Sequence, residues 1–316
     1  MLIKSILSYP NSAPSPGLSI ASATREFTLR KMDSKGAALL VLLAVTIQVA
    51  AAAPFTQNYL AETDAFHTRV LNAGERVDLV LDKQSAAAFG SKGNYLFGSI
   101  GMGIKLVGGN SAGTVTAYYL SSEGDQHDEM DFEFLGNKAG EPYVLQTNVF
   151  AKGKGNREQR INLWFDPTAD FHTYSLLWNK NIIVFYVDTT PVRVYKNSED
   201  LGVPFPNSQG VGIYASLWDG STWATDGGKT PLNWNAAPFV ASFQGFGVDS
   251  CQVQGDFGAC KNGNQWYQGA AYQDLNANQI GQLKNVRQNH MVYDYCTDRE
   301  RTANAPAECA RNWYEY

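Results

Sequence analysis

Short apolar segments separated by turn residues recur along the middle of the chain and limit the folds open to it. They are rich in β-branched and aromatic residues, and Gly, Pro, Asn and Asp occupy the intervals between them. Because no helical periodicity lies between these segments, we predict an all-β fold built as a sandwich of two antiparallel sheets. The predicted strands are 114–120, 143–150, 161–165, 174–178, 182–187 and 211–217.

A further extended segment, 127–136, carries acidic residues at alternate positions. Glu129, Asp131 and Glu133 are separated by apolar residues. In a strand, the three carboxyl groups would therefore point to one face and the apolar side chains to a core on the other. Like charges in a row repel and are costly to desolvate, so this pattern indicates an acid/base site.

The spacing of the two glutamates suggests a particular chemistry. Four strand residues separate their Cα atoms by roughly 13 Å, and side chains leaning together would bring the carboxyl groups to roughly 5–6 Å. Retaining glycosidases use about that separation. Asp131 would then help to keep Glu129 ionised while Glu133 holds a proton. Taken alone, the motif also fits an ordinary charged strand face or a cation site.

Several motifs together resemble the xyloglucan endotransglucosylase/hydrolases, plant cell-wall enzymes of glycoside hydrolase family sixteen. The resemblance runs from about residue 55 to residue 309 and implies a concanavalin A-like jelly roll. The matching motifs, in chain order, are YLFG at 95–98, GNSAGTVTAYY at 109–119, HDEMDFEFLGN at 127–137, QTNV at 146–149, LWFDPT at 163–168, FHTY at 171–174 and SLWD at 216–219.

The same resemblance implies roles for individual residues. It makes Glu129 the nucleophile, Glu133 the general acid/base and Asp131 the residue that orients and tunes the pair. The implied substrate-binding residues are Gln146, Asn148, Glu158, Arg160, Trp218, Trp223, Tyr293 and Arg301. A pyranose ring packs its apolar face on an indole, which suits the two tryptophans. Trp164, Trp178 and Trp234 are expected in the core or at its rim.

The function implied is cleavage of the β-1,4-glucan backbone of xyloglucan and transfer to another xyloglucan chain or oligosaccharide. Family members that lean toward hydrolysis look as though they carry an insertion in this region. Segment 153–158 has none, so the resemblance favours a transferase. A xyloglucan endohydrolase, a lectin-like glycan-binding protein and a structural wall protein are the alternatives. Mixed-linkage glucan or cellulose would be alternative substrates.

The cysteines are Cys251, Cys260, Cys296 and Cys309. An even number in a secreted chain predicts disulfides, and spacing alone leaves three connectivities open. The family resemblance favours Cys251–Cys260 and Cys296–Cys309. Zinc is a weak alternative because no Cys-x-x-Cys pair is present and the histidines are scattered. We expect no cofactor and no metal.

The apolar run 37–53 follows basic residues and ends in small ones, which is typical of a secretory signal peptide over residues 1–52. Met32 offers an alternative start, with 1–31 as a gene-model extension. The expected domains are a catalytic sandwich, 53–250, and a disulfide-stapled extension, 251–316, that contains a helix at about 274–290. The chain is expected to act in the plant cell wall or apoplast, as a monomer by default and not at a membrane.

Charge agrees with a neutral glycan as partner. The formal net charge is −5, and residues 1–52 hold five Lys or Arg and two Asp or Glu, so the remainder carries −8. An acidic protein is poorly suited to nucleic acid.

The sequence departs from the family pattern at Met130, at 302–303 and over 53–68. It also contains no Asn-x-Ser/Thr acceptor, so no N-glycan is expected.

Overall fold

The computed structural model describes residues 53–301 and 303–311, so the predicted signal peptide lies outside the described residues. Strands dominate this part of the chain, and its α-helices are α1 (Phe55–Asn58), α2 (Gly258–Asn262) and α3 (Ala277–His290). The strands are β1 Tyr59–Ala61, β2 Thr68–Leu71, β3 Arg76–Leu81, β4 Ala87–Ser91, β5 Tyr95–Lys105, β6 Thr114–Ser121, β7 Glu129–Leu135, β8 Val144–Phe150, β9 Gln159–Asn162, β10 His172–Trp178, β11 Ile182–Val187, β12 Thr190–Lys196, β13 Gly212–Asp219, β14 Phe239–Gln244, β15 Asp249–Gln252 and β16 Met291–Asp294.

The strands form two antiparallel sheets. The first has the order β1-β4-β13-β6-β7-β8-β9-β16, and the second has the order β12-β11-β10-β5-β14-β3-β2, with β15 paired to β5. The predicted antiparallel sandwich is therefore confirmed. The acidic strand β7 lies in the middle of the first sheet between β6 and β8, where its backbone is hydrogen-bonded on both sides.

The core between the sheets is built from alternate residues of these strands. Phe132 and Phe134 of β7 are fully buried and meet aromatic rings of the second sheet. The Phe134 and Tyr174 ring centroids are 4.5 Å apart, and those of Phe132 and Phe185 are 5.1 Å apart. Edge-to-face rings at these distances add to the free energy of burial. This packing determines which face of β7 points inward and leaves the carboxylates on the other.

A buried arginine joins the two sheets. Arg193 of β12 is 1% exposed and donates from Nη1 to the Thr147 carbonyl oxygen at 2.8 Å and from Nη2 to the Arg157 carbonyl oxygen at 2.6 Å. Its guanidinium also lies 5.5 Å from the Phe185 ring centroid. A buried cation must be hydrogen-bonded to be tolerated. Arg193 therefore ties β12 to β8 and to the segment that follows it.

The C-terminal segment contains the expected helix and disulfides. Helix α3 begins three residues later than predicted, because Asn276 caps it with Gln279 in a capping box. Leu283 and Val286 are its buried residues, and it packs against β12, β9 and β16. The pairs Cys251–Cys260 and Cys296–Cys309 are both formed, with Cα atoms 5.5 and 5.8 Å apart, which confirms the pairing implied by the family resemblance.

Within 53–301 and 303–311, no helix combines the length and the apolarity needed to cross a membrane. The division into domains at residue 250 stays a prediction.

Three tryptophans were expected in the core or at its rim. Trp178 is fully buried and Trp234 packs against the core, whereas Trp164 is 40% exposed.

Candidate active site

The register of β7 places its three carboxylates on the face of the first sheet opposite the core, which we call the carboxylate face. Asp131 is 7% exposed, and Glu129 and Glu133 are each half-buried. On β6, the cross-strand neighbours of Glu129, Asp131 and Glu133 are Ser121, Tyr119 and Ala117, in that order. On β8, they are Phe150, Asn148 and Gln146. The structure thus brings the predicted trio together on one partly open surface.

Burial and the charges of neighbouring carboxylates raise the pKa of two members of this trio, Asp131 and Glu133. Desolvation raises the pKa of Asp131 well above its ordinary value, and the charges of Glu129 and Glu133 raise it further. The pKa of Glu133 is also raised, first by desolvation and then by the charge of Glu129, while a hydrogen bond from Gln146 opposes the rise. A carboxyl group held protonated beside a second carboxylate is the arrangement that acid/base catalysis requires.

Gln146 and Arg160 extend a hydrogen-bonded chain from Glu133 toward the sheet edge. Gln146 Nε2 donates to Glu133 Oε2 at 2.6 Å, and Arg160 Nε donates to Gln146 Oε1 at 2.6 Å. The Arg160 guanidinium then lies 5.5 Å from the ring centroid of Tyr293 on β16. Both ends of the Gln146 amide are occupied, so this side chain orients Glu133 in the free protein.

The predicted residues of the C-terminal segment meet the sheet at this edge. Arg301 donates from Nη1 to Glu158 Oε2 at 2.6 Å and to the Tyr293 hydroxyl at 3.3 Å. Its Nη2 donates to Asn156 Oδ1 at 2.6 Å. Asn156 was not predicted, and its position in the short segment between β8 and β9 was the signal available. Together with Arg160, these side chains form a polar and aromatic rim next to Glu133.

Asn148 differs from its prediction in one respect. Its Oδ1 accepts the backbone N–H of Val149 at 2.9 Å and that of Arg157 at 3.0 Å. The carbonyl end of this amide therefore supports the turn after β8, which leaves the amide nitrogen as the group that can donate to a ligand. Its substrate-binding role stays a prediction.

Trp218 and Trp223 lie beyond Glu133 at one end of the carboxylate face. Their ring centroids are 6.1 Å apart, and the pair packs on a small apolar cluster that includes Leu135, two residues after Glu133. The Trp218 indole N–H is buried and donates to no group within the described residues. A half-buried pair of indoles offers an apolar surface that suits the C–H face of a sugar ring.

His127 is a further residue near Glu129 that the sequence interpretation did not assign. Its Nε2 lies 4.0 Å from Glu129 Oε2, and its ring stacks on Phe150 with centroids 5.1 Å apart. The segment after β8 supports it, because Gly153 donates its N–H to the His127 carbonyl oxygen at 2.8 Å. Gly153 has φ +74°, and a Cβ there would lie 2.0 Å from the Asp125 carbonyl oxygen. The alternation from His127 to Glu129 was the available signal.

Two tyrosines continue the carboxylate face on the side of β13 and β4. Tyr119, cross-strand from Asp131, stacks on Tyr214 with ring centroids 5.3 Å apart. Burial raises the pKa of Tyr119, and the charges of Glu62, Glu129 and Asp131 raise it further. The Tyr119 phenol is therefore close to Glu129 and Asp131 and also to a fourth carboxylate, Glu62. The sequence did not predict that Glu62 lies near this face.

Comparison with known proteins agrees with this arrangement. The family profile for glycosyl hydrolases family 16 matches residues 55–236, and that for the xyloglucan endo-transglycosylase (XET) C-terminus matches residues 260–309. A probable xyloglucan endotransglucosylase/hydrolase protein 5 of Arabidopsis thaliana is 55% identical over 82% of this chain and 89% of its own. Xyloglucan endotransglucosylase protein 34 of Populus tremula x Populus tremuloides is 50% identical over 87% of this chain and 95% of its own.

Solved structures share the fold. A Crh5 transglycosylase matches with a TM-score of 0.50 and 24% identity over 64% of this chain and 82% of its own. A non-specific endo-β-1,3(4)-glucanase of the same family matches with a TM-score of 0.51 and 15% identity over 64% of this chain and 90% of its own. With the relatives above, the chain belongs to the xyloglucan endotransglucosylase/hydrolases of glycosyl hydrolase family 16.

Proposed function

We propose that this protein cleaves the β-1,4-glucan backbone of xyloglucan with retention of configuration and transfers the cleaved chain to another xyloglucan chain or oligosaccharide. The observation that carries the proposal is the placement of Glu129 and Glu133 on one face of β7, with Asp131 buried between them. Relatives that are 50–55% identical bear the name xyloglucan endotransglucosylase, which supports the choice of polymer.

In the first step, the Glu129 carboxylate attacks the anomeric carbon and the glycosidic C–O bond breaks. Glu133 gives its proton to the departing oxygen, so the leaving chain departs as a neutral alcohol and a glycosyl-enzyme ester remains on Glu129. In the second step, Glu133 accepts the proton of an incoming hydroxyl, whose oxygen bonds to the anomeric carbon as Glu129 is released. The raised pKa of Glu133 suits both transfers.

Asp131 tunes the pair electrostatically, because its position between the glutamates makes simultaneous ionisation of all three costly. Gln146, held by Arg160, fixes the Glu133 carboxyl group from the other side. Because proton transfer requires a well-placed carboxyl oxygen, we assign Gln146 and Arg160 as positioning residues. The indoles of Trp218 and Trp223 supply surfaces on which sugar rings pack.

The acceptor side is the rim formed by Arg160, Tyr293, Arg301, Glu158 and Asn156. Arg301 donates hydrogen bonds to Glu158, Tyr293 and Asn156 before any substrate binds, and Arg160 lies over the Tyr293 ring. A transferase must bind its acceptor well enough to exclude water from the glycosyl-enzyme, and a preformed rim lowers the entropic cost of doing so. The short segment between β8 and β9 leaves this rim uncovered.

We also propose that the protein is secreted, works in the plant cell wall and is a monomer.

The test is incubation with xyloglucan polymer and a labelled xyloglucan oligosaccharide. We expect label in the polymer fraction for the wild type and a loss of more than about 10⁴-fold for Glu129→Gln, because the attacking carboxylate is gone. Glu129→Gln should still be retarded by xyloglucan in a native gel. The exposed Glu141, changed to Gln, is the matched control and should transfer normally.

Other outcomes would identify the alternatives. Reducing ends that accumulate without labelled polymer would make the protein a xyloglucan endohydrolase. Retention by xyloglucan without either product would make it a glycan-binding protein. Equal activity of Glu129→Gln and wild type would remove Glu129 from the mechanism.

A further inference from the structure

A second groove lies outside the carboxylate face, between α3 and the segment that follows β9. Its volume is about 480 Å³, within the range of roughly 300–1,000 Å³ usual for ligand pockets. Trp164 forms one wall, and the other is built from α3. None of the side chains that line it is a carboxylate, an ammonium or a guanidinium group, so its chemistry differs from that of the acidic site.

Trp164 presents a flat apolar surface to this groove. The side chain is 40% exposed, although it contacts Phe165 edge-on at 5.5 Å and His290 at 5.3 Å between ring centroids. Phe165 is itself stacked on His172 at 3.8 Å. The indole therefore packs against Phe165 and His290, and part of it stays exposed to the groove.

The facing wall offers amides on a single helical stripe. Asn278, Gln282 and Asn285 are spaced by four and three residues, which places them on one side of α3. Asn278 and Asn285 are exposed. Gly281 lies within the same stripe, and a Cβ there would meet no atom within 4 Å. Glycine destabilises a helix interior relative to alanine, and here the missing side chain leaves room in the groove beside α3.

A partly exposed indole opposite uncharged amides favours a neutral ligand with both an apolar face and many hydroxyl groups. Sugar rings have these properties, since their C–H face packs on indole and their hydroxyls pair with amides that both donate and accept. A charged ligand would find no opposite charge among the lining side chains apart from the imidazole of His290. We propose that this groove is a second glycan-binding site that takes a neutral β-glucan segment.

The choice of β-glucan rests on the proposed function, whereas the preference for a neutral sugar rests on the lining of the groove alone. A polymer chain bound both here and on the carboxylate face would be held at two points, which raises its effective concentration at the catalytic residues. Short oligosaccharides that fill only one site would gain nothing. The groove should therefore affect binding of long polymer and leave transfer between short oligosaccharides unchanged.

The experiment compares three variants in native gels containing soluble xyloglucan. Trp164→Ala removes the apolar wall, and Asn278→Ala with Asn285→Ala removes exposed amides without touching the core. Trp266→Ala is the matched control, since Trp266 is 43% exposed and outside the groove. We expect the apparent dissociation constant for polymer to rise about three- to tenfold for Trp164→Ala, as loss of one aromatic contact implies. The amide variant should weaken binding in the same direction, and Trp266→Ala should not.

The kcat/KM for transfer between short oligosaccharides is measured for each variant and should stay within about twofold of wild type, which shows that the variants are folded. Unchanged polymer binding in both groove variants, or equal loss in Trp266→Ala, would overturn the second site. Absence of transfer in the wild type would instead overturn the proposed function and would leave the binding comparison valid.

Discussion

At the residue scale, the protonation of Glu133 depends on the few side chains that touch it. Burial and the charge of Glu129 raise its pKa, and the hydrogen bond from Gln146 Nε2 at 2.6 Å opposes them by favouring the ionised form. Arg160 acts in the same direction as Gln146 through its charge. The acid form required for the first step therefore reflects a balance, and single substitutions should shift it in a known direction.

Replacing Gln146 by Leu removes the donor that stabilises ionised Glu133. The pKa of Glu133 should then rise further, so the alkaline limb of the kcat/KM profile moves to higher pH while the maximum rate falls because the carboxyl group is less well oriented. The measurement is the pH dependence of label transfer. Gln288→Leu, an exposed glutamine of α3, is the control and should leave the profile unchanged. An alkaline limb that stays fixed or moves down would contradict this account of Gln146.

Asp131 carries a cost in stability that its substitution should reveal. Its pKa is raised in the folded state, so the native protein binds a proton at higher pH than the unfolded chain does. The free energy of unfolding contributed by this group therefore falls as pH rises above the ordinary aspartate value of about 3.9. Asp131→Asn should raise Tm at pH 7, by about 2–4 °C for each kcal/mol of relieved repulsion, and should reduce activity.

The gain for Asp131→Asn should shrink as pH falls toward 4, where wild-type Asp131 is itself protonated. Calorimetry at several pH values checks this. Glu141→Gln, at an exposed position, should show no such gain. A variant less stable than wild type at pH 7 would mean that ionised Asp131 contributes favourable contacts.

At the element scale, the turn between β8 and β9 is attached to the C-terminal segment by a buried ion pair. Arg157 Nε donates to Glu308 Oε1 at 2.7 Å, and the two side chains are 8% and 5% exposed. Arg157 also donates from Nη1 to the Val149 carbonyl oxygen at 3.2 Å. These contacts place the turn beside Asn156 and Glu158, so the geometry of the acceptor rim depends on them.

Glu308→Ala should lower the free energy of unfolding by about 3–5 kcal/mol, because it leaves the Arg157 charge buried without its partner. Urea denaturation provides the measurement. The double variant Arg157→Met, Glu308→Leu should lose less than the single one. Asp200→Ala breaks the exposed pair with Arg311 and should cost below about 1 kcal/mol. Equal losses for Glu308→Ala and Asp200→Ala would show that the buried pair adds no more than a surface one.

At the scale of the whole molecule, the two disulfides have separable roles. Cys296–Cys309 lies in a small cluster against which Tyr293 packs, next to the acceptor rim. Cys251–Cys260 joins β15 to α2 and has no contact with that cluster. Both close short loops, so their effects on stability should be similar while their effects on transfer should differ.

Removing Cys296–Cys309 by a double change to Ser should cost about 3 kcal/mol of stability and lower the ratio of transfer to hydrolysis, because the rim that binds the acceptor loosens. The corresponding change at Cys251 and Cys260 is the control, with a similar loss of stability and an unchanged ratio. Products are followed as labelled polymer and as reducing ends. If both pairs alter the ratio equally, the acceptor rim does not depend on Cys296–Cys309 specifically.

The sequence pattern of single segments predicts the strands, the sandwich and the C-terminal helix of this protein. The alternation of acidic and apolar residues in 129–134 predicted a strand with opposite faces, because side-chain direction in a strand follows directly from residue order. The short apolar segments predicted the sandwich for the same reason. Helix α3 was placed within three residues, and the deviation arose from capping by Asn276, whose side chain competes for the first backbone N–H groups. Family motifs supplied the disulfide pairing, which spacing left open.

Contacts between distant segments were decided by the tertiary structure. The chain Glu133–Gln146–Arg160–Tyr293 joins three strands and the C-terminal segment, and nothing local to any of them specifies its partners. Trp164 was expected in the core or at its rim and proved to be exposed opposite the amides of α3, since exposure depends on what packs against a side chain. Sequence alone determined which residues share a face of one element, because backbone geometry is local. Folding decided which faces meet, because packing and desolvation depend on the whole chain.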